Sequence, residues 1–437
     1  VIHYGVEIAG PGQEVLTLDG GKSRPVLVAT LSGSAGLTVS GLTIVRGRAA
    51  VCSDCSRDFE PAGGALLVTT KPKGKSTGLV RIAGAAFLDN RAPAGSGGAV
   101  LVDGLRLEIV NSRFVNNAAE NGGAVHGGDV SVSGSLFSHD RATLGSGGAV
   151  YASRMTATGT TFFDSSAGES GGAITFDATL PPGITTSDFE SNSTEGHGGG
   201  AIYSYPESGA KIVIQDCTFT ANSGSSGGAV LVEREWAVDD PRSASLLIGR
   251  STFDGNTGGT GAGIHVEGIR TALVSNSTFI GNRATEAGGV SLLDVDAIVQ
   301  YVTMTGNTAE KTGGGIWARN SKVNISNSIL WANTAPLGAD LKDVSKRTIL
   351  AADLFTSRAA VATKVGLAGA KGLILGVDPQ LGPLADNGGP TQTMLPAATS
   401  PVIGKGTAKV STPPKTDQRG KPRVIAGRAD IGAVEVG

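Results

Sequence analysis

The chain has 437 residues, 67 of them glycine, and its 36 Lys and Arg nearly balance 38 Asp and Glu, for a formal net charge of −2. That balance gives no reason to expect a nucleic-acid or anionic-membrane partner, and glycine without a G-x-y period excludes collagen. No run of 18 apolar residues exists, so no segment reads as a membrane-spanning helix.

The chain opens at Val1 without a Met or a charged-then-apolar leader, which reads as a mature or trimmed product and is compatible with export. Residues 1–60 read as opening coils. Their short strands, Val15-Leu16-Thr17-Leu18, Val26-Leu27-Val28, Leu37-Thr38-Val39 and Leu42-Thr43-Ile44-Val45, are separated by glycine pairs and proline. Cys52-x-x-Cys55 follows in a polar loop. A small disulfide in an oxidising compartment, two free thiols and a metal site are the readings open to it; the last needs a second pair, which the sequence lacks. Cys217 stands where sister repeats carry Ser251 and Ser277, and reads as a small packed residue.

From Gly63 onward a repeat governs the sequence. A Gly-Gly pair or its equivalent falls at 63, 97, 122, 147, 171, 199, 227, 262, 288 and 314. A phenylalanine position precedes the next pair by 8 to 10 residues, at 87, 114, 137, 162, 189, 219, 253 and 279, and then becomes Met304 and Leu330. One repeat of some 25 residues holds two or three short strands and no helix-length periodic segment. Such strands cannot bury a face alone. Stacking each turn on the last gives every backbone group a partner about 4.8 Å away. The expectation is an all-β parallel solenoid (opening coils 1–60, repeats 61–335, closing coils 336–376) followed by a separate segment over 377–437.

Stacking assigns work to each repeated position. The aliphatic slot of G-G-A-V (Leu66, Val100, Val125, Val150, Ile174, Ile202, Val230, Ile264, Val290, Ile316) must point inward. The phenylalanine slot forms a second internal column. Asn90, Asn117, Asn192, Asn222, Asn256, Asn282, Asn307 and Asn333 form a third, able to bond along the axis and to tolerate left-handed corners.

The alternation of GGAI-like and FxxN-like phrases over roughly residues 60–335 resembles the repeat of chlamydial polymorphic outer-membrane proteins and related bacterial surface proteins. The resemblance implies a right-handed β-helix, here of roughly ten to fourteen coils with capping ends. A second signature comprises Asp378-Pro379-Gln380-Leu381-Gly382-Pro383-Leu384, Asp386-Asn387-Gly388-Gly389-Pro390-Thr391, Thr416-Asp417-Gln418-Arg419-Gly420 and Asp430-Ile431-Gly432-Ala433-Val434-Glu435. It resembles the choice-of-anchor domain of bacterial surface β-helix proteins. This Pro- and Gly-rich stretch is expected to wrap and cap the last coil, whose strand edge is otherwise unpaired. Together the resemblances imply an extracellular or outer-surface location.

Functional candidates lie one residue past the inward aliphatic slot, where alternation turns side chains outward. The row reads Leu67, Leu101, His126, Tyr151, Thr175, Tyr203, Leu231, His265, Ser291 and Trp317. In a chain with 5% aromatics, such a row suits sugar rings or a partner protein, and Tyr151, Tyr203 and Trp317 are expected to be more than a quarter exposed. Length variation gathers on the same face, in Lys71–Thr77, Asp177–Thr186, Ser204–Lys211 and Glu233–Ser245, the last carrying Trp236, Asp239 and Asp240. Two residues further along, Glu233 and Glu267 sit on consecutive coils. About 5 Å apart, they match a retaining glycosidase pair, with Asp177 as an added acid, or a Ca2+ site, or two solvated acids. Gly196-His197-Gly198 echoes a polygalacturonase phrase, but its acids come in the wrong order and His197 reads as a turn residue. The preferred reading is a monomeric adhesin or surface protein binding a glycan or host-surface protein without a cofactor. The alternative is a polysaccharide-degrading hydrolase or lyase.

Overall fold

The computed structural model of the chain describes residues 2–49, 62–71, 76–234, 243–344, 349–356, 361–363, 368–408, 410 and 412–436. Cys52, Cys55 and Trp236, together with Asp239 and Asp240, lie outside the described residues. The chain divides into two compact units, Val1–Ser204 and Tyr205–Gly437. Each is built of short parallel strands with no helix among the described residues, and the fold is a right-handed parallel β-helix of about 12 turns.

Register shows why the repeat folds this way. In the first unit the aliphatic slots stand one above another, Leu66 on Val100, Val125, Val150, Ile174 and Ile202. In the second unit Val230, Ile264, Val290, Ile316 and Leu341 do the same. All of them are fully buried. The next face carries Phe87, Phe114, Phe137, Phe162 and Phe189 in one unit and Phe219, Phe253 and Phe279 in the other. Neighbouring rings within each stack lie 4.6–5.1 Å apart and within 12° of parallel. That spacing is the strand spacing itself, so the ladder imposes face-to-face stacking where free ring pairs prefer an offset. A third face of two- to six-residue strands runs from Arg91–Ser96 to Ser193–Thr194 in the first unit, with Ala92, Ala119, Ala142 and Ala167 pointing in.

The asparagine column is a buried hydrogen-bond ladder. In the second unit Asn222 Nδ2 donates to Asn256 Oδ1 at 3.0 Å, Asn256 to Asn282 at 2.9 Å, Asn282 to Asn307 and Asn307 to Asn333 at 2.8 Å each. Each of these amides from Asn256 onward also donates to the backbone carbonyl of the phenylalanine-slot residue one coil earlier, Phe219, Phe253, Phe279 and Met304, at 3.0–3.1 Å. The sequence places the left-handed corner at the asparagine, and the structure moves it one residue back. Asp89, Asn116, His139, Asp164 and Ser191 have positive φ, while the ladder asparagines do not and commit their amides to the ladder. The first glycine of the pair is the other left-handed point. At Gly122 (φ 57°) a Cβ would come within 2.3 Å of the Val125 carbonyl, so the turn before the pair folds tightly back onto the strand that follows it.

The described residues of 377–436 pack along the side of the coils. After a small antiparallel hairpin, Leu381–Ala385 with Thr393–Pro396, the segment runs along the flank of the second unit. Thr252 Oγ1 donates to Gln392 O (2.7 Å), Asn276 Nδ2 to Thr416 O (2.9 Å), Tyr301 Oη to Thr407 O (2.8 Å), and Gly432 N to Asn327 O (2.8 Å). These contacts touch four successive coils at the corner before the phenylalanine slot. Val402 and Ile431 add apolar packing against Ile329.

Candidate functional site

In the first unit the outward row is set by register, with Leu101 beside His126, His126 beside Tyr151, then Thr175 and Tyr203. The rings of His126 and Tyr151 stack at 5.0 Å and 3°. His126, Tyr151 and Tyr203 are partly exposed, whereas Thr175 is buried, its hydroxyl donating to Ser170 O at 3.0 Å. Burial lowers the His126 pKa to about 4, an effect that Asp103 offsets in part, so the imidazole is neutral at neutral pH. Its buried Nδ1 has no hydrogen-bond partner among the described residues. Burial, then the charges of Asp177 and Glu169, push the Tyr151 phenol upward.

Three carboxylates thus flank two stacked rings. Asp103 and Asp177 were legible as outward residues of the strand. Glu169 was missed. It belongs to the turn before Gly171-Gly172, two residues ahead of the pair, and that turn folds back over the strand beginning at Ile174. The signal was available in the sequence, since a tight turn at a left-handed glycine returns whatever precedes it toward the outward row.

In the second unit the expectation of a solvent-facing row fails. Leu231 and Ser291 are fully buried, His265 is 4% exposed and Trp317 8%. Trp317 packs against Ala287 and Leu293, with Val344 beside it, so the preceding turn has closed over the row instead of leaving it open. The Arg319 guanidinium lies 5.6 Å from the centre of the Trp317 ring. His265 and Trp317 therefore offer no open binding surface in this structure.

Glu233 and Glu267 are register partners on adjacent coils, as the repeat predicts, and the next two rungs carry Leu293 and Arg319. His265 Nε2 sits 3.4 Å from Glu267 Oε2. Asp177 belongs to the first unit. Among the described residues no group of three or more His, Cys, Asp or Glu is arranged to hold a metal ion. The His197 carbonyl accepts a hydrogen bond from Ser170 Oγ at 2.5 Å, a turn contact between coils. Cys217 is buried, its Sγ 3.1 Å from Gln215 O.

The second sequence signature resolves into a buried polar clasp. Gln418 Nε2 reaches Thr252 Oγ1 (2.9 Å) and Thr391 Oγ1 (3.0 Å), and Gln418 Oε1 accepts from Thr278 Oγ1 (2.7 Å). Asp417 accepts from the backbone amides of Arg419, Lys421 and Glu435. Arg423 donates to Asn276 Oδ1 at 2.6 Å and lies over the Tyr301 ring at 4.4 Å. These residues hold the segment to the coils and line no open site.

No family model and no characterised protein matches this chain.

Proposed function

We propose that the protein is a bacterial surface or secreted binding protein, an adhesin that recognises a glycan or a partner surface through the open half of the outward row. The observation that carries this reading is the partly exposed His126–Tyr151 stack with Asp103, Glu169 and Asp177 around it. Stacked rings give a flat apolar face, and carboxylates accept hydrogen bonds from hydroxyls, a combination suited to sugars. Tyr203 extends the row by another rung. The resemblance of the repeat to bacterial surface proteins supports the outer-surface location, and the reading requires neither a cofactor nor a second subunit.

A glycan array followed by titration of the best-bound oligosaccharide tests it. Tyr151→Ala is expected to weaken binding at least tenfold with thermal unfolding little changed. Unaltered affinity in that variant would dismiss the row as the binding face.

One observation favours a second reading, polysaccharide cleavage. Glu233 and Glu267 are register partners, which places their backbones about 4.8 Å apart, near the separation of a retaining glycosidase pair. Release of reducing ends from the bound polysaccharide, abolished in Glu267→Gln, would support cleavage. Binding with no release leaves the adhesin reading.

A further inference from the structure

The opening coils of the first unit gather five cations on three successive rungs. Lys22 N donates to Arg46 O at 2.8 Å and Arg48 N to Arg24 O at 3.0 Å, so Lys22 and Arg24 lie on one coil and Arg46 and Arg48 on the next. Arg48 in turn bridges in parallel to Arg91 on the third. Between the two columns lies a cleft of about 350 Å3 lined by Lys22, Arg46, Gly47, Arg48, Asp89 and Arg91. Gly47 has no room for a side chain, because a Cβ there would come within 2.2 Å of the Gly64 carbonyl on the next coil.

Two of the guanidinium groups are already held in place. Arg46 forks onto Asp19, with Nε at 3.0 Å from Oδ1, and Arg91 donates to the Asn116 carbonyl and, at 3.2 Å, to that of Asn90. Lys22, Arg24, Arg46 and Arg48 are exposed. Among the described residues, Asp19 and Asp89 are the acids beside these cations, in a chain whose overall charge is −2. Cations therefore outnumber acids at this place among the described residues.

We infer that this cleft binds an acidic polysaccharide through its sulfate or carboxylate groups. Guanidinium and ammonium groups donate charge-assisted hydrogen bonds to such oxyanions, and the groups of Arg46 and Arg91, held beforehand, lose less freedom when their remaining N–H groups bind. The cleft lies at the small end of the ~300–1,000 Å3 usual for ligand sites, room for one sugar unit. Cations recur along the axis at about 4.8 Å, so a polymer with repeated charges is engaged at several points. Among the described residues no aromatic side chain lines the cleft to supply the stacking on which single-stranded nucleic acids depend. A cleft also suits an inserted sugar better than a flat lipid surface. The inference is independent of the His126–Tyr151 row.

The test is titration of the whole protein with dextran sulfate, polygalacturonate and neutral dextran at low and physiological salt. Binding of at least one of the two acidic polymers, none of dextran, and a steep loss with salt are expected; which acidic polymer binds identifies the oxyanion. Lys22→Glu with Arg48→Glu should cut the affinity at least tenfold. Lys322→Glu with Lys405→Glu, the same charge change in the second unit, should alter it less than twofold. Equal losses in the two double variants would reduce the effect to net charge and overturn the site. So would binding of phosphatidylserine vesicles, abolished by the first double variant, without binding of either acidic polymer. Circular dichroism and thermal unfolding of both variants verify that each is folded.

Discussion

Asp140 occupies a ladder position that asparagine fills in most other coils, and replacing it with asparagine should stabilise the protein. Its Oδ1 accepts from Asn117 N at 2.8 Å and from Asn117 Nδ2 at 2.9 Å. Its Oδ2 is buried with no partner among the described residues. The residue is fully buried, and burial, opposed by the Asn117 hydrogen bonds and by Arg91, raises its pKa from 3.8 to about 8. The folded value lies above the unfolded one, so the stability it confers is complete in acid and is lost as pH rises through about 8. Each pH unit across that window costs about 1.4 kcal/mol, and at pH 7 the loss is on the order of 4 kcal/mol.

Asp140→Asn abolishes the titration and restores an amide. By analogy with Asn117, whose Nδ2 donates to Phe87 O at 3.0 Å, the new amide would reach the carbonyl of Phe114. That bond contributes about 0.5–1.5 kcal/mol. The variant should therefore gain on the order of 2–4 kcal/mol at pH 7 and about 1 kcal/mol or less at pH 4. Because a solenoid opens coil by coil, thermal unfolding should be paired with amide hydrogen exchange on peptides covering residues 110–145, each measured from pH 4 to 8.5. The wild type should lose protection there with rising pH and the variant should not. A variant with the same pH dependence as the wild type, or one less stable at pH 7, would refute the assignment of a neutral buried acid.

Other consequences follow from the same columns. Phe137→Ala removes a ring stacked on both sides and should cost about 3–5 kcal/mol, read as a fall in the unfolding midpoint. Trp317→Ala should leave glycan affinity within twofold of wild type, because the ring is covered, although the protein loses stability. Arg423→Met breaks the buried clasp and should cost about 3–5 kcal/mol, with residues 377–436 becoming the first site of limited proteolysis. Burial, reinforced by Asp430 and Asp417, raises the Glu435 pKa from 4.5 to about 7. Proteolytic resistance of that segment should thus fall between pH 4.5 and 7, and Glu435→Gln should remove the dependence.

The interior was legible because a period in sequence becomes a column in space. Val100, Val125 and Val150 must stack if successive turns do, and alternation then decides that Leu101, His126 and Tyr151 point the other way. Alternation says nothing of what lies over an outward residue. His126 and Trp317 hold the same slot, yet Ala287 and Val344 help to cover only the tryptophan. The route of the C-terminal segment was hidden for a different reason. Its bonds join residues about 140 positions apart, as Thr252 to Gln392 and Asn276 to Thr416, and no repeat period encodes such a pairing. The cationic cleft escaped notice because Lys22 and Arg46 belong to opening coils that precede the explicit repeat, so no shared phrase aligns them with Arg91.

The covered and open halves of the molecule are nevertheless written in residue choice. At the position just before the phenylalanine slot, the first unit carries Ala86, Arg113, Leu136, Thr161 and Asp188, a mixed set with no common partner. The second unit begins with a half-buried Thr218 and then carries Thr252, Thr278, Thr303 and Ile329, all five β-branched and these four buried. Three are hydroxyls that bond the segment, to Gln392 O, Gln418 Oε1 and the Ala433 amide, and the fourth packs on Val402 and Ile431. The Gln of Thr416-Asp417-Gln418-Arg419-Gly420 serves the same contacts, since Gln418 bonds two of those coils at once, whereas Asp417 holds the segment to itself. A signature that reads as an address for the cell surface is, in this chain, first a fastening of one segment to four coils. That fastening covers one flank of the second unit, while the sugar-facing row and the cationic cleft proposed above both belong to the first, where described residues leave them partly exposed.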